Sequence, residues 1–255
     1  MVEDPRKTFS KSARRYLEST DHSSGVDLER IRSTASNILP STTLDVATGA
    51  GFALRAAAPF SARCIALDLT GEMLEVAREH LGGLGLDHVN YVVARSHDLP
   101  IKAKTIDLFT CRIACHHFED IPGFLTEAGR VLFSSGRFIL IDSVVPDEEE
   151  ADDFLNNMEK IRDPSHIRSL TLRRWRELFS GTGFELITEE TFFRTHPFRE
   201  WADRVGLGGV RRQKLVEGFR SASDGIKETF RVEIDRDGEI LSYTDEKAIF
   251  ELILT

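Results

Sequence analysis

The chain has 255 residues, of which 41% are hydrophobic, and a formal net charge of -9 at pH 7. The acidic excess argues against a nucleic-acid surface, which is built from Lys and Arg. No apolar run approaches the roughly 20 residues of a membrane span, there is no apolar leader, and three cysteines are too few for a disulfide framework. These features predict a cytoplasmic protein with a small-molecule partner and leave a homodimer open.

The first predicted elements are a helix, a strand and a second helix. Apolar residues at helical spacing from Leu28 to Leu39 indicate a helix that Pro40 closes. A short apolar run at residues 43–46 predicts a buried strand, and residues 52–58 favour a helix. Only a few very small residues separate this strand from its helix, so we expect a tight turn whose helix N-terminus is open to a ligand.

The turn and the strand after it predict a nucleoside-binding site. Small residues stand at Ala47, Gly49 and Gly51, directly after Asp45, and a second predicted strand ends on Asp68. Small side chains let a ligand approach the backbone, and an acid about 20 positions after the turn is placed to hold a ribose diol.

The glycine spacing separates two classes of cofactor. Dinucleotide-binding folds use G-x-G-x-x-G, whose third glycine allows close helix–strand packing. The corresponding residue here is Leu54, which disfavours a nicotinamide oxidoreductase. An ordinary strand-to-helix turn without a ligand is the other alternative, and the flanking acids Asp45 and Asp68 argue against it.

Strand and helix signals alternate from residue 41 to 144, the pattern of a parallel sheet covered by helices. Thr70 and Asp120 are placed to cap two of the helices, and Gly82 and Gly83 end the first of them. Further strands are predicted at residues 89–93, 106–110 and 138–144, the last after a turn at residues 134–136.

The remaining third of the chain is less regular. Residues 147–162 predict an acidic helix with a narrow apolar stripe, which we expect to dock loosely. Thr171 is placed to cap the next helix. The other predicted elements are a strand at 184–187, an inserted helical pair at 197–225, a hairpin turn at 236–238 and a final strand at 247–255.

These motifs, in this order, resemble class I S-adenosylmethionine-dependent methyltransferases, and more narrowly the subgroup related to the ubiquinone/menaquinone-biosynthesis C-methyltransferases. The motifs are D-V-A-T-G-A-G (45–51), A-L-D-L-T (66–70), T-C-R-I-A-C-H-H-F (110–118), R-V-L (130–132) and N-M-E-K-I-R-D-P-S-H (157–166). The resemblance implies an α/β fold: a Rossmann-like, doubly wound, mostly parallel seven-stranded sheet with an antiparallel last strand. It also implies one domain over residues 1–255, with a cofactor core at 26–146 and helical lid insertions at 147–170 and 197–225 that roof the acceptor site.

The resemblance implies S-adenosylmethionine as the cofactor and a small, hydrophobic methyl acceptor. In this interpretation Asp45 faces the cofactor's ammonium group, Asp68 holds its ribose, and Tyr16 reaches its carboxylate. Leu69 and Met73 are placed to pack on the adenine, although core packing is an equal alternative for Met73. The full set of predicted cofactor residues is Tyr16, Asp45, Ala47, Gly49, Gly51, Asp68, Leu69, Met73, Arg95, Ser96 and Arg112.

A histidine pair follows the fourth predicted strand, at the sheet edge where open parallel sheets bind ligands. A histidine there can take a proton from a hydroxyl group or an acidic carbon. The resemblance places His117, rather than His116, beside the acceptor, so we predict His117 as the catalytic base. The alternative is that His117 only orients its loop through a hydrogen bond. The resemblance also turns Arg162 or His166 towards the acceptor.

A metal site is not predicted at this edge. Cys111 and Cys115 lie near the two histidines, but adjacent residues of a strand point to opposite faces. No second ligand pair stands at the spacing of structural zinc sites.

One departure from the family pattern concerns the adenine. After the third strand, the family usually has Gly-Asp, whose carboxylate accepts a hydrogen bond from the adenine amino group. The matching residues here are Ala94 and Arg95, and arginine has no acceptor. The Ser96 backbone N–H remains available to the ring. This departure leaves open a non-catalytic S-adenosylmethionine-binding protein or sensor of the same fold.

Overall fold

The computed structural model describes Asp4, Arg6 and residues 24–255, so the predicted cofactor residue Tyr16 lies outside the described residues. The strands are β1 (Thr42–Val46), β2 (Arg63–Asp68), β3 (Val89–Val93), β4 (Ile106–Arg112), β5 (Leu132–Val145), β6 (Leu170–Thr171), β7 (Phe184–Pro197), β8 (Glu233–Ile234) and β9 (Ile240–Leu254). The α-helices are α1 (Val26–Ile38), α2 (Phe52–Ala57), α3 (Gly71–Gly82), α4 (Ile121–Val131), α5 (Glu149–Arg162), α6 (Leu172–Ser180), α7 (Phe198–Arg204), α8 (Gly209–Ser221) and α9 (Asp224–Thr229).

The main strands form one sheet in the order β3-β2-β1-β4-β5-β9-β7, with β6 and β8 as short additions. Strands β1 to β5 are parallel, whereas β9 is antiparallel to both β5 and β7. The chain moves outwards from β1 in one direction to β3 and in the other to β5. This confirms the predicted Rossmann-like, doubly wound sheet with an antiparallel last strand. Such sheets bind ligands where the strand order reverses, here between β1 and β4.

Apolar side chains cover both faces of the sheet because alternate strand residues point to opposite sides. Leu44 and Phe109 pack in a cluster with α4 and α6, whereas Leu108 packs with α1 and α2. A third cluster joins α5 to α7, α8 and α9, and buries Leu155 and Met158 of α5. The stripe that predicted a loosely docked α5 is therefore fully used in packing.

The helix caps follow the sequence prediction in two cases of three. The Asp120 carboxylate accepts a hydrogen bond from the Gly123 N–H at 2.8 Å, and the Thr171 hydroxyl accepts one from the Arg174 N–H at 3.1 Å. Thr70 precedes α3 but makes no side-chain cap. Its side chain instead interacts with the Asp68 carboxylate at the edge of the sheet.

The long strands of the C-terminal third differ most from the prediction. β7 extends to Pro197, and β9 begins at Ile240. Polar residues such as Glu189 and Thr195 hide this pairing, because β7 is the last strand of the main sheet order and lies at its edge. β5 begins at Leu132 instead of after a turn, and the predicted helical pair is a set of three helices. None of the helices in the described residues is long and apolar enough to cross a membrane.

Candidate active site

A cavity of about 350 Å³ opens at the carboxyl ends of β1, β2 and β4. Its position is the switch point of the strand order, where a ligand is expected. Most of the predicted site residues line it, namely Asp45, Ala47, Gly49, Asp68, Leu69, Met73, Arg95, Ser96, Arg112 and His117.

The turn after β1, which we call the cofactor turn (residues 47–51), presents its backbone to the cavity. Ala47 and Gly49 both have left-handed backbones, with φ of 56° and 54°. No atom would lie within 4 Å of a Cβ on Gly49. Gly51 differs from the expectation, because it does not border the cavity; a Cβ there would lie 3.0 Å from Leu81 Cδ1. Gly51 therefore allows α2 and α3 to pack closely.

Asp68 ends β2 with its carboxylate at the cavity wall. The Gly49 N–H donates to Oδ2 at 3.0 Å, and the Thr70 N–H donates to Oδ1 at 2.9 Å. Burial raises the pKa of this carboxyl despite the two backbone donors. The Thr70 side chain and the Leu69 N–H also contribute hydrogen bonds, so neutral donors hold this carboxyl in place at the cavity wall.

Asp45 lies deeper, in the middle strand of the site. The parallel register puts Asp45 beside Thr110, whose hydroxyl donates to Oδ1 at 2.7 Å, and the Thr48 hydroxyl donates to Oδ2 at 2.6 Å. Burial raises the pKa of Asp45 to about 6, because two neutral hydroxyls and the charge of Arg112 offset desolvation only partly. A cationic group of a ligand would reverse this shift.

The cavity also has apolar and cationic borders. Met73 is 3% exposed and belongs to the core as well as to the cavity wall, so both readings of this residue fit its position. The Arg112 side chain is also buried, and its guanidinium pairs with Asp27 of α1 at 2.7 Å. Arg112 therefore anchors α1 beside the cavity.

Arg95 lies at the exposed rim, where its backbone forms an isolated bridge with Asp98. Asp4 also lines the cavity, and hydrogen bonds from Arg6, with smaller contributions from the charges of Arg6 and Arg95, lower the pKa of its carboxyl to about 2. A carboxylate from another part of the chain thus borders the same cavity as Arg95.

The histidine turn (Cys115–His117) follows β4 as a short 3-10 helix, and the centroids of its two imidazole rings lie 4.3 Å apart. His116 is not among the residues that line the cavity, and it pairs through Nδ1 with the Asp142 carboxylate at 2.6 Å. His117 lines the cavity together with Phe118 and Ile167. Burial and the charge of His116 lower the pKa of His117 to about 4, so His117 is neutral at neutral pH.

Neither Arg162 nor His166 borders the cavity. His166 Nε2 bonds with the Asn156 side-chain oxygen at 2.9 Å, and Arg162 pairs with Glu159 at 3.0 Å. Within the described residues no group of three His, Cys, Asp or Glu side chains is arranged to hold a metal ion. The Sγ atoms of Cys111 and Cys115 lie 3.7 Å apart in the core.

Several residues that shape the site were not predicted. The hydroxyls of Thr48 and Thr110 hold Asp45, and Asp27 holds Arg112. Thr48 could have been recognised, because a hydroxyl three residues after a buried acid can donate back to it. Asp27 and Thr110 are brought in from 85 and 65 residues away in the chain, and no local pattern marks them.

A family model described as a methyltransferase domain matches residues 44–140. Over 235 residues the chain is 31% identical to the uncharacterized methyltransferase YcgJ of Bacillus subtilis strain 168, with 92% of this chain and 93% of that protein covered. The chain therefore belongs to the family of S-adenosylmethionine-dependent methyltransferases and is an enzyme of that class.

Two further similarities refine this assignment. A crystal structure of a Bacillus halodurans C-125 protein assigned to the methyltransferases matches with a TM-score of 0.86 at 33% identity, over 90% of this chain and 99% of that chain. The ubiquinone/menaquinone biosynthesis C-methyltransferase UbiE of Brucella abortus strain S19 is 35% identical over 105 residues, 40% of this chain and 39% of that protein. These matches confirm the family resemblance and the fold.

Proposed function

We propose that this enzyme binds S-adenosylmethionine against Asp45, the cofactor turn and Asp68, and transfers its methyl group to a small hydrophobic molecule held beside His117. One observation carries the proposal. The same cavity is lined by a glycine turn and two buried carboxylates and by a neutral histidine with Phe118 and Ile167.

The donor set fits the cofactor. Asp45 and Asp68 are 1% and 8% exposed, and their hydrogen-bond donors are hydroxyls and backbone N–H groups. Buried carboxylates with raised pKa favour a ligand that brings a cation and hydroxyl groups. Asp45 would hold the ammonium group, Asp68 the ribose diol, and Leu69 and Met73 the adenine. The bound cofactor would supply a methyl group on a sulfonium, and the protein would supply orientation and a dry site.

His117 is placed to accept the proton that the acceptor loses. A pKa of about 4 keeps the imidazole in its base form at neutral pH. A weak base is sufficient, because an acceptor atom that gains a methyl group while still protonated becomes strongly acidic. Proton transfer by a positioned side chain typically contributes about 10²- to 10⁴-fold to the rate.

The two insertions have different parts in this proposal. Residues 147–170 reach the cavity through Ile167, whose N–H donates to the His116 carbonyl at 2.8 Å. Residues 197–225, all of them described, contribute no side chain to the cavity and pack behind α5. We infer that the loop after α5 roofs the acceptor, while α5, α7 and α8 support this loop.

The direct test is a thermal-shift and calorimetry panel with S-adenosylhomocysteine, NAD and NADP. S-Adenosylhomocysteine at a hundred times its Kd should stabilise the protein by about 2.7 kcal/mol, because it binds only the folded state. NAD and NADP should have no effect. Stabilisation by NAD alone would overturn the cofactor assignment.

The catalytic part is tested after an acceptor screen of quinols, phenols and other small nucleophiles, read as S-adenosylhomocysteine release. His117→Ala should then lower turnover about 10²-fold or more with almost unchanged cofactor affinity. Equal losses of binding and turnover would show that His117 has a structural role instead.

A further inference from the structure

His117 is joined to a buried serine and aspartate that follow α5. Its Nδ1 lies 3.0 Å from the Ser165 carbonyl oxygen and 3.2 Å from Ser165 Oγ. The Ser165 hydroxyl and backbone N–H both donate to Asp163 Oδ1, at 2.6 and 2.9 Å. Asp163 and Ser165 are 1% and 0% exposed. The chain of contacts therefore runs from the cavity wall into the protein interior.

The hydrogen-bond partners of His117 and Ser165 determine where the protons of these contacts lie. A carbonyl oxygen can only accept, so the bond to Ser165 O requires a proton on His117 Nδ1. The single proton of the Ser165 hydroxyl is directed to Asp163, so this hydroxyl can also only accept from the imidazole. Neutral His117 is therefore the Nδ1–H tautomer, and Nε2 is its basic nitrogen.

The Asp163 carboxylate, at which this series of contacts ends, lacks part of its hydrogen bonding. Asp163 Oδ2 is buried and has no hydrogen-bond partner among the residues that the structure describes. A buried acceptor without a partner destabilises a fold and calls for a functional explanation. The charges that face this pair are His116 on the histidine turn, Asp142 on β5, and Arg162 at the end of α5. The two groups whose positive charge Asp163 can stabilise are Arg162 and, once it is protonated, His117.

We propose that Asp163 and Ser165 are positioning residues for His117, which fix its Nδ1–H tautomer and stabilise the imidazolium formed during methyl transfer. This inference rests on the proposed role of His117 as base. In the step, the acceptor atom forms a bond to the methyl carbon while the carbon–sulfur bond breaks. The bonding pair stays on sulfur, the acceptor's proton moves to Nε2, and water later removes that proton. Asp163 lies on the Nδ1 side, so it acts through His117 and does not touch the acceptor.

The tautomer can be measured without an acceptor. The protein labelled with ¹⁵N-histidine and saturated with S-adenosylhomocysteine should show His117 with a protonated Nδ1 and an unprotonated Nε2 at pH 7. The His117→Gln spectrum assigns the signals. An Nε2–H tautomer would overturn the positioning pair even when S-adenosylhomocysteine binds. Absence of S-adenosylhomocysteine binding would instead overturn the proposed function.

The charge is tested by turnover in two backgrounds. Asp163→Asn should lower kcat about 10- to 100-fold in the otherwise wild-type enzyme and leave the Kd of S-adenosylhomocysteine within twofold. The same substitution should have no effect on kcat in the His117→Ala background, because Asp163 acts through His117. A loss of similar size in both backgrounds would overturn the proposal, as would an unchanged kcat in the first.

Two variants control for folding and for the loss of charge. Ser165→Ala keeps the backbone carbonyl and should preserve the tautomer while lowering kcat by a smaller factor than Asp163→Asn. Asp153→Asn removes an exposed carboxylate from α5, 60% exposed on its side chain, and should leave kcat unchanged. A larger loss in Ser165→Ala than in Asp163→Asn would contradict the assignment of the charge to Asp163.

Discussion

Two groups of buried carboxylates lie at neighbouring parts of the sheet, and their pKa values are shifted in opposite directions. The first group is Asp45 and Asp68, which we call the cofactor wall after its proposed role. Burial raises the pKa of Asp45 to about 6 and also raises that of Asp68. In a second group, which we call the ion network, the pKa values of Asp142, Glu159 and Asp245 are lowered. Burial is nearly complete in both groups, so burial alone does not explain the difference.

The interaction partners of the carboxylates explain why the pKa values of the two groups shift in opposite directions. In the ion network Asp142 pairs with His116 at 2.6 Å, and Asp245 pairs with Lys247 at 2.7 Å and with His196 at 3.0 Å. These ion pairs favour the charged carboxylates and outweigh desolvation. The carboxylates of the cofactor wall instead accept hydrogen bonds from hydroxyls and backbone N–H groups.

This difference distinguishes a structural site from a binding site. Where a cation of the same protein neutralises a buried carboxylate, removal of that carboxylate should affect folding. Where a ligand must supply the neutralising charge or hydrogen bonds, removal of the carboxylate should affect binding. Four substitutions test this comparison.

The largest effect is expected in the ion network, from Lys247→Met. Lys247 Nζ donates to Asp245 Oδ2 at 2.7 Å and to Ser143 Oγ at 2.6 Å, and the residue is 5% exposed. Its loss leaves His196 as the ion-pair partner of buried Asp245 within the described part of the chain. We expect the free energy of unfolding, measured in urea at pH 7, to fall by about 3–5 kcal/mol.

The control for Lys247→Met is the double variant with Asp245→Asn, which removes the stranded charge and should recover part of the stability. Because the pKa of Asp245 is lowered in the folded protein, its stabilising contribution is present above the unfolded pKa and is lost as pH falls. The deficit of Lys247→Met should therefore shrink at acid pH. A change below 1 kcal/mol at pH 7 would contradict the structural role of the network.

In the cofactor wall, Asp45→Asn should instead raise the stability of the ligand-free protein. The pKa of Asp45 is raised from 3.8 to about 6, so its carboxylate destabilises the folded protein above pH 6 and has no such effect below about pH 4. At pH 8 the ligand-free variant should gain up to about 3 kcal/mol, at 1.36 kcal/mol per pKa unit.

The gain of Asp45→Asn should come with a loss of binding. The variant no longer offers a charge to the cofactor's ammonium group, so stabilisation by S-adenosylhomocysteine should fall sharply. Unfolding curves at pH 8 and pH 4.5, with and without this ligand, measure both effects. A variant that is less stable at pH 8 without ligand would show that Asp45 belongs with the ion network.

The sequence predicted the cofactor wall better than the ion network, for a physical reason. Asp45, the cofactor turn and Asp68 lie within one strand–helix–strand unit, so local spacing places them together. The contact between Lys247 and Ser143 joins residues 104 apart in the chain, and His117 meets Ser165 over 48 residues. Such contacts depend on how β5, β9 and the loop after α5 pack, which no local pattern contains.

The strands show the same limit. Strand β3 matches its predicted range, because turns bound it on both sides. Strands β7 and β9 are 14 and 15 residues long, much longer than predicted, because their extra length is paired strand to strand. Polar residues on an edge strand weaken the alternation that a sequence pattern uses.

A smaller effect, on affinity alone, is expected from Asp68→Ala. Its two oxygens are oriented by the Gly49 and Thr70 N–H groups, so the carboxylate would be preorganised for the ribose in the proposed binding mode. Loss of hydrogen bonds to a charged group should weaken S-adenosylhomocysteine binding by roughly 1.5–3 kcal/mol, measured by calorimetry. Asp68→Asn, which keeps one acceptor oxygen, should lie between wild type and Asp68→Ala. Unchanged affinity in Asp68→Ala would place the ribose contact elsewhere.

The smallest effect is expected at the rim, from Arg95→Asp. Arg95 occupies the position at which the family resemblance implies a carboxylate for the adenine amino group, and two facing donors would repel each other. The guanidinium is exposed and lines the cavity, so it can turn aside or stack on the purine. An aspartate there should tighten S-adenosylhomocysteine binding by about 1 kcal/mol, the usual net contribution of one hydrogen bond.

Arg95→Ala separates the loss of the donor from the gain of an acceptor. It removes the donor without adding an acceptor and should give a smaller gain in affinity. If both substitutions weaken binding, Arg95 is itself a favourable contact, and the rim would then resemble the cofactor wall: a charge left for the ligand to match.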